Sequence, residues 1–341
     1  MSAFKVLYVG GTGTISWSSV MRSVALGQAV TVMNRGRSLV RPLPAAVELL
    51  EGDATDSDSM RTLLAGREFD AVVNFLTFTG AEAEQAEKIF APIASHYVHI
   101  STAALYEKPP RRMPYLESTP RHNPNSSYAS QKIAAEDALL AAYFDRGFPV
   151  TIVRPSHTYD DAHPPLPGDW TLIDRIARGE EIVVPGDGTS LWTLTHAEDF
   201  AVGLVGLLGN RAAFGEAFHI TSEFAYSWDQ IYGYLAAAMA TTANIVHVPT
   251  ELIALAAPTW IWSELIAYDL KYSVLLDNAK IRSYVPAYDP QVNFAEGARR
   301  IISWRSQHPA EAVGDGPVDA IFTKLAGAYH DAAAIFQRLG A

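Results

Sequence analysis

The chain has 341 residues, 49% of them apolar, and no cysteine, which allows a large core and excludes disulfides, thiolate metal sites and a cysteine nucleophile. A formal charge of -11 with no lysine-rich block argues against a groove that binds nucleic acid by neutralising many phosphates. The apolar run at residues 252–257 stops at Pro258, short of the ~20 residues of a membrane span, and the early first strand leaves no room for a leader, so a cytoplasmic protein without a membrane partner is expected.

Phe4-Lys5-Val6-Leu7-Tyr8-Val9 reads as an apolar strand that feeds the turn Gly10-Gly11-Thr12-Gly13 and a helix opening at Thr14 and Ile15. Gly11-x-Gly13-x-x-Ser16 has the spacing of a dinucleotide fingerprint with serine in place of the last glycine. Glycine lets the backbone turn sharply and lets phosphate oxygens come close, while the helix start offers free N–H groups. An ordinary tight turn is the alternative. A helix to Gly27 and the short apolar run at 29–33 complete a β-α-β unit. Strands follow at residues 47–51, 70–76, 97–101 and 150–153, separated by helical segments such as 81–90 and 127–144. This alternation predicts an α/β fold of Rossmann type, a doubly wound parallel sheet with the ligand at the carboxyl ends of its strands. From Pro155 the texture becomes rich in proline, glycine, histidine and aromatic residues, which marks a smaller C-terminal substrate lobe. The expected division is 1–155 plus about 192–222 for the dinucleotide domain, with the strand at 218–221 crossing back, and 156–191 plus 223–341 for the lobe. The tail reads as an amphipathic helix with Ile321, Leu325, Ile335, Phe336 and Leu339 on its apolar side.

Asn34 and Arg35 follow the second strand, where the fingerprint expects an acid that binds ribose hydroxyls. A neutral residue followed by Arg35, with Arg37 close behind, suits a 2′-phosphate instead, so NADP(H) is favoured over NAD(H). Asp53, after the third strand, is a candidate for the adenine amino group. Tyr128 and Lys132 are one helical turn apart, and a nearby ammonium would lower the phenol's pKa toward the working range for proton exchange with a carbinol or carbonyl. Thr102, past the strand at 97–101, could hydrogen-bond the same oxygen. His157, Asp160, Asp161 and His163 crowd one loop; hydride chemistry needs no metal, and none is expected there.

Gly10-Gly11-Thr12-Gly13, His99-Ile100-Ser101-Thr102 with Tyr106, Tyr128 with Lys132, and Val153-Arg154-Pro155 together resemble the extended, epimerase/dehydratase-like branch of the short-chain dehydrogenase/reductase superfamily. Pro185-Gly186-Asp187-Gly188-Thr189 and Thr195-His196-Ala197-Glu198-Asp199 resemble that branch's second-lobe signature. The resemblance implies Tyr128 as proton donor or acceptor, Lys132 as partner of Tyr128 and of the nicotinamide ribose, and Thr102 as ligand of the substrate oxygen. The cofactor cleft expected on this plan comprises Gly10, Gly11, Thr12, Gly13, Thr14, Ile15, Asn34, Arg35, Asp53, Phe75, Leu76, Ser101, Lys132, Pro155 and Ser156. His157, Trp170 and Trp192 are the substrate candidates, with Trp260, Trp262 and Tyr268 as possible aromatic neighbours. Ala103 and Ala104 stand where sugar-nucleotide dehydratases carry an Asp-Glu pair, which argues against elimination. Trp192 replaces an arginine that epimerases use on a diphosphate. The expected activity is nicotinamide-dependent hydride transfer at a secondary carbinol or ketone of a sugar-like or ring substrate, as net redox or as epimerisation through a transient ketone. The turn at Asn34 also resembles relatives grouped with chloroplast stem-loop-binding proteins, so a catalytically silent, RNA-associated regulator is the alternative. A homodimer is a further expectation from the resemblance.

Overall fold

Val6, Leu7, Tyr8 and Val9 have no exposed surface in the computed structural model, which describes residues 3–36 and 40–339. They form β1 (Lys5–Val9), inside a parallel sheet with β2 (Ala29–Asn34), β3 (Glu48–Glu51), β4 (Ala71–Asn74), β5 (Tyr97–Ile100), β6 (Val150–Pro155) and the late strand Ala217–Ile220. The order is late strand, β6, β5, β4, β1, β2, β3, so the winding reverses beside β1. That reversal is where an open α/β sheet leaves a crevice for a ligand.

Helices cover both faces, which is why β1 is apolar without alternation. Val6 and Tyr8 pack with Val20 of α1 (Thr14–Ala25) and with Phe200 and Leu204 of the helix Ala197–Leu207. On the other face, Leu7 and Val9 meet Met60 of α2 (Ser57–Leu64), Ala83 of α3 (Gly80–Phe90) and Ala135 and Leu139 of α4 (Ser127–Arg146). A buried network ties α4 to β6: Arg154 donates to Glu136 at 2.9 and 2.6 Å, to the Tyr106 hydroxyl at 2.8 Å and to the Glu117 carbonyl at 2.9 Å.

The second lobe holds a three-stranded sheet of His157–Tyr159, Leu191–His196 and Ala225–Ser227, and a parallel pair of Glu181–Pro185 and Asn244–Val248. The packing differs from the expected division at two edges. Residues 192–196 pair within the lobe's sheet, and the return to the large sheet starts with the helix Ala197–Leu207. Ile281, Val285 and Tyr288 join the core of the large sheet because their segment packs on the late strand, although they lie in the span expected for the lobe. The tail helix Gly316–Leu339 forms as read, but only its first half is covered. Phe322 and Leu325 are buried in the lobe, whereas Ile335, Phe336 and Leu339 are exposed, because the packing partners end before the last turns. Among the described residues no helix is long and apolar enough to cross a membrane.

Candidate active site

The first turn builds a cradle. Gly10 has φ +89°, and a β-carbon there would sit 2.9 Å from Leu76; at Gly11 one would sit 2.8 Å from Val32. Gly13 caps α1. Ser16, in the place of the fingerprint's last glycine, stitches this turn: its hydroxyl donates to the Gly10 carbonyl at 2.6 Å and accepts from the Gly13 N–H at 2.8 Å. Ser16→Ala is expected to cost about 1–2 kcal/mol of stability and to weaken dinucleotide binding severalfold, measured by thermal melting and nucleotide titration.

Around the cradle lies a cleft of about 520 Å³ lined by Gly10, Thr12, Gly13, Asn34, Arg35, Gly52, Asp53, Leu76 and Phe78 among others. Asn34 bridges two sides of it, donating to Thr12 Oγ1 at 3.3 Å and accepting from the Gly36 N–H at 2.7 Å. Arg35 is exposed at its rim, and Arg37 lies outside the described residues. Asp53 accepts from the backbone and hydroxyl of Thr55 at 2.9 and 2.8 Å. Thr14 and Ile15 open α1 behind the turn, and Phe75 stacks on Tyr8 at 6.4 Å. The glycine cradle and the helix start fit a dinucleotide's pyrophosphate.

A second cleft, about 310 Å³, is walled by Thr102, Ala103, Ala104, Tyr128, Pro155, Ser156, His157, Trp192, Trp262 and Asp269 among others. Tyr128 and Thr102 share its wall, and the Thr102 hydroxyl accepts from the Ala104 N–H at 3.1 Å. Lys132 is buried one turn along α4 from Tyr128, donating to the carbonyls of Thr77 at 2.7 Å and Ile100 at 2.9 Å, with its Nζ 4.4 Å from the Phe78 ring. Burial lowers the Lys132 ammonium to about 8, against the raising influence of Glu136 and Glu82. The expected lowering of the Tyr128 phenol by Lys132 is not found. Burial raises it above its ordinary value, the nearby Thr102 side chain opposes the rise, and the charge of Asp269 adds to it. The cause is position: Lys132 is drawn to two backbone carbonyls, while Asp269 reaches the phenol from the other lobe. Ser101 is buried beside them, and its hydroxyl has no partner among the described residues.

The lobe supplies groups that local sequence did not reveal. Glu264 accepts from the Ser126 hydroxyl at 2.9 Å, the Ser127 hydroxyl at 3.0 Å and the Tyr128 N–H at 3.4 Å, and so caps the helix that carries Tyr128. Burial pushes its carboxyl up, and these hydrogen bonds outweigh it, holding it below the usual range. No motif marks Glu264, because its partners lie on a distant helix. His157 stacks on Trp262 at 5.9 Å and meets Trp192 edge-on at 6.0 Å; burial, then the charge of His163, lowers its imidazole to about 4. Trp170 is a correction. Its helix Trp170–Arg178 turns an apolar face into the lobe's core, so the indole stacks on Trp304 at 5.6 Å and does not line the cleft. Trp260 likewise packs on Phe322 at 5.8 Å, and Tyr268 is exposed outside the lining. The loop residues diverge to separate partners: Asp160 pairs with Arg41, Asp161 with His196 and Arg300, and His163 with Asp169.

Comparisons with known proteins place the chain in a family. The chain is similar to 2′-dehydrokanamycin reductase of Streptomyces kanamyceticus, 28% identical over 287 residues that span 83% of this chain and 80% of that protein. It is also similar to chloroplast stem-loop binding protein of 41 kDa b of Arabidopsis thaliana, 28% identical over 239 residues, 66% of this chain and 60% of that one. In fold it resembles a dTDP-glucose 4,6-dehydratase from Streptomyces venezuelae solved with NAD bound, with TM-score 0.74, 22% identity, and 90% of this chain and 98% of that one covered. The family model for the NAD dependent epimerase/dehydratase family matches residues 6–220. The chain therefore belongs to the NAD-dependent epimerase/dehydratase family and is a nicotinamide-dependent oxidoreductase/epimerase.

Proposed function

We propose that this enzyme interconverts a secondary carbinol and a ketone on a sugar-like or glycosidic ring, with Tyr128 as the proton-transfer residue. The observation that carries the reading is that Tyr128, Thr102, Pro155 and Ser156 line one cleft, with Lys132 one helical turn along α4 from Tyr128. The nicotinamide, when bound, supplies or accepts the hydride. Everything else falls to the chain. Thr102 orients the substrate oxygen toward the phenol, Tyr128 gives it a proton or takes one, and Lys132 holds a positive charge beside the ribose. Pro155 and Ser156 wall the nicotinamide end, with Ser156 fixed to Thr195 at 2.7 Å. Ala103 and Ala104 present methyl groups to the cleft, which supports redox or epimerisation rather than elimination. Similarity to the 2′-dehydrokanamycin reductase of Streptomyces kanamyceticus supports net reduction of a ketone on an amino-sugar glycoside. The test is oxidation of reduced nicotinamide, followed by absorbance, with keto-glycosides against keto forms of nucleotide sugars.

NADP(H) is proposed as the preferred cofactor. Asn34 and Arg35 line the cleft at the end of β2, so a 2′-phosphate there would meet a neutral amide and a guanidinium in place of the fingerprint's acid. Arg35→Ala is expected to weaken NADPH about 10–100-fold while leaving NADH within about threefold, read from the two binding constants; equal losses would remove the argument for a phosphate contact. A homodimer through α3 and α4 is proposed on the face where Ala134 and Ala141 are exposed.

A further inference from the structure

Lys108 and Asp269 form a buried ion pair at the wall of the substrate cleft. Their charged atoms are 2.8 Å apart, with side chains 3% and 8% exposed. Apart from each other, neither Lys108 Nζ nor Asp269 Oδ1 has a polar partner among the described residues. Asp269 sits in the single π-helical turn Ile266–Leu270 and lines the same cleft as Thr102, Tyr128 and Trp192. Its charge is felt at the Tyr128 phenol, which places it on the reacting side. Lys108 reaches it from behind, over the rings of Tyr115 at 5.3 Å and Trp192 at 5.8 Å.

For the fold alone such a pair is a poor choice, since desolvating two charges costs several kcal/mol and well-packed apolar side chains do as well or better. A carboxylate backed by a buried ammonium, facing a cleft and short of donors, is an acceptor for O–H or N–H groups. The residues lining the cleft include no arginine or lysine. A diphosphate there would find no cation on the wall and would meet the Asp269 charge.

We infer that the Lys108–Asp269 pair is a specificity element: Asp269 accepts hydrogen bonds from hydroxyl or ammonium substituents of the substrate ring, and the pair excludes nucleoside-diphosphate sugars. The inference rests on the carbinol/ketone reading for the identity of the cleft. Lys108 is a positioning residue that fixes the carboxylate, and Asp269 touches substrate.

The test is calorimetric titration of the full-length protein with kanamycin, methyl α-glucoside and UDP-glucose, with and without NADPH. Kanamycin or the glucoside should bind where UDP-glucose does not. Asp269→Asn should weaken that binding at least about tenfold while leaving NADPH affinity within about twofold. The double variant Lys108→Met/Asp269→Leu removes the carboxylate without stranding a buried charge; it should melt no lower than the single variant and still lose the glycoside. UDP-glucose binding as tight as either glycoside, binding of neither glycoside, or unchanged glycoside affinity in both variants would overturn the inference. The titration needs no turnover, so loss of the hydride-transfer reading through full activity in a Tyr128→Phe variant would be seen separately.

Discussion

Tyr128→Phe should reduce turnover about 10²–10⁴-fold and leave the affinity for the dinucleotide within about twofold. The phenol proposed to exchange the proton lines the cleft with Thr102, while the glycine cradle that would hold the pyrophosphate lines another. The substitution removes one oxygen from a half-buried side chain and little packing, so the protein should melt close to the parent temperature. The pH dependence has a definite sign. Ketone reduction needs the phenol protonated, and burial together with Asp269 raises that phenol, so the proton is present through neutral pH. The first alkaline group beside it is Lys132, lowered by burial to about 8. Reduction is therefore expected to be flat below about pH 8 and to fall above it as the ammonium loses its charge, whereas alcohol oxidation, which needs the phenolate, rises with pH. Steady-state rates in both directions across pH check this; a Tyr128→Phe variant with parental turnover would overturn the assignment of proton transfer to Tyr128.

Arg154→Met should destabilise the fold by about 3–5 kcal/mol, measured by urea unfolding with an unchanged denaturant slope. Glu136 is fully buried and spends both oxygens on Arg154, with Arg121 as a further partner at 3.0 Å. Removing Arg154 leaves that carboxylate short of its main counter-charge and deprives Tyr106 and the Glu117 carbonyl of a donor. The companion change Glu136→Leu in the same chain should recover much of the loss, because the pair is then replaced by apolar packing rather than broken. Activity should fall beyond what stability explains, since Glu136 lies one turn past Lys132 on α4 and helps fix the helix that carries both Lys132 and Tyr128.

Local pattern and tertiary packing divided the information unevenly. The strand-turn-helix at residues 5–25, the strands β2, β4, β5 and β6 and the helix with Tyr128 and Lys132 were legible because each is written in a few neighbouring residues, through apolar runs, glycine at a turn that needs positive φ, and one-turn spacing. The apolar side of the tail helix was legible as well, but not that its last turns would stay uncovered, since periodicity describes a face and not its partner. Trp170 shows the same gap: an indole near the cleft in sequence is a core residue in space because of the direction its helix faces.

Composition, charge and motif spacing thus determined the class of fold, the glycine cradle and the helix that places Tyr128 and Lys132 one turn apart, since each depends on immediate neighbours. Tertiary structure alone decided that Glu264 caps the helix of Tyr128, that burial, with Asp269 adding to it, raises the phenol which Lys132 was expected to lower, and that Lys108 lies buried behind Asp269. Each of these joins segments far apart in the chain, and the energy of a buried charge depends on what surrounds it rather than on which residues precede it.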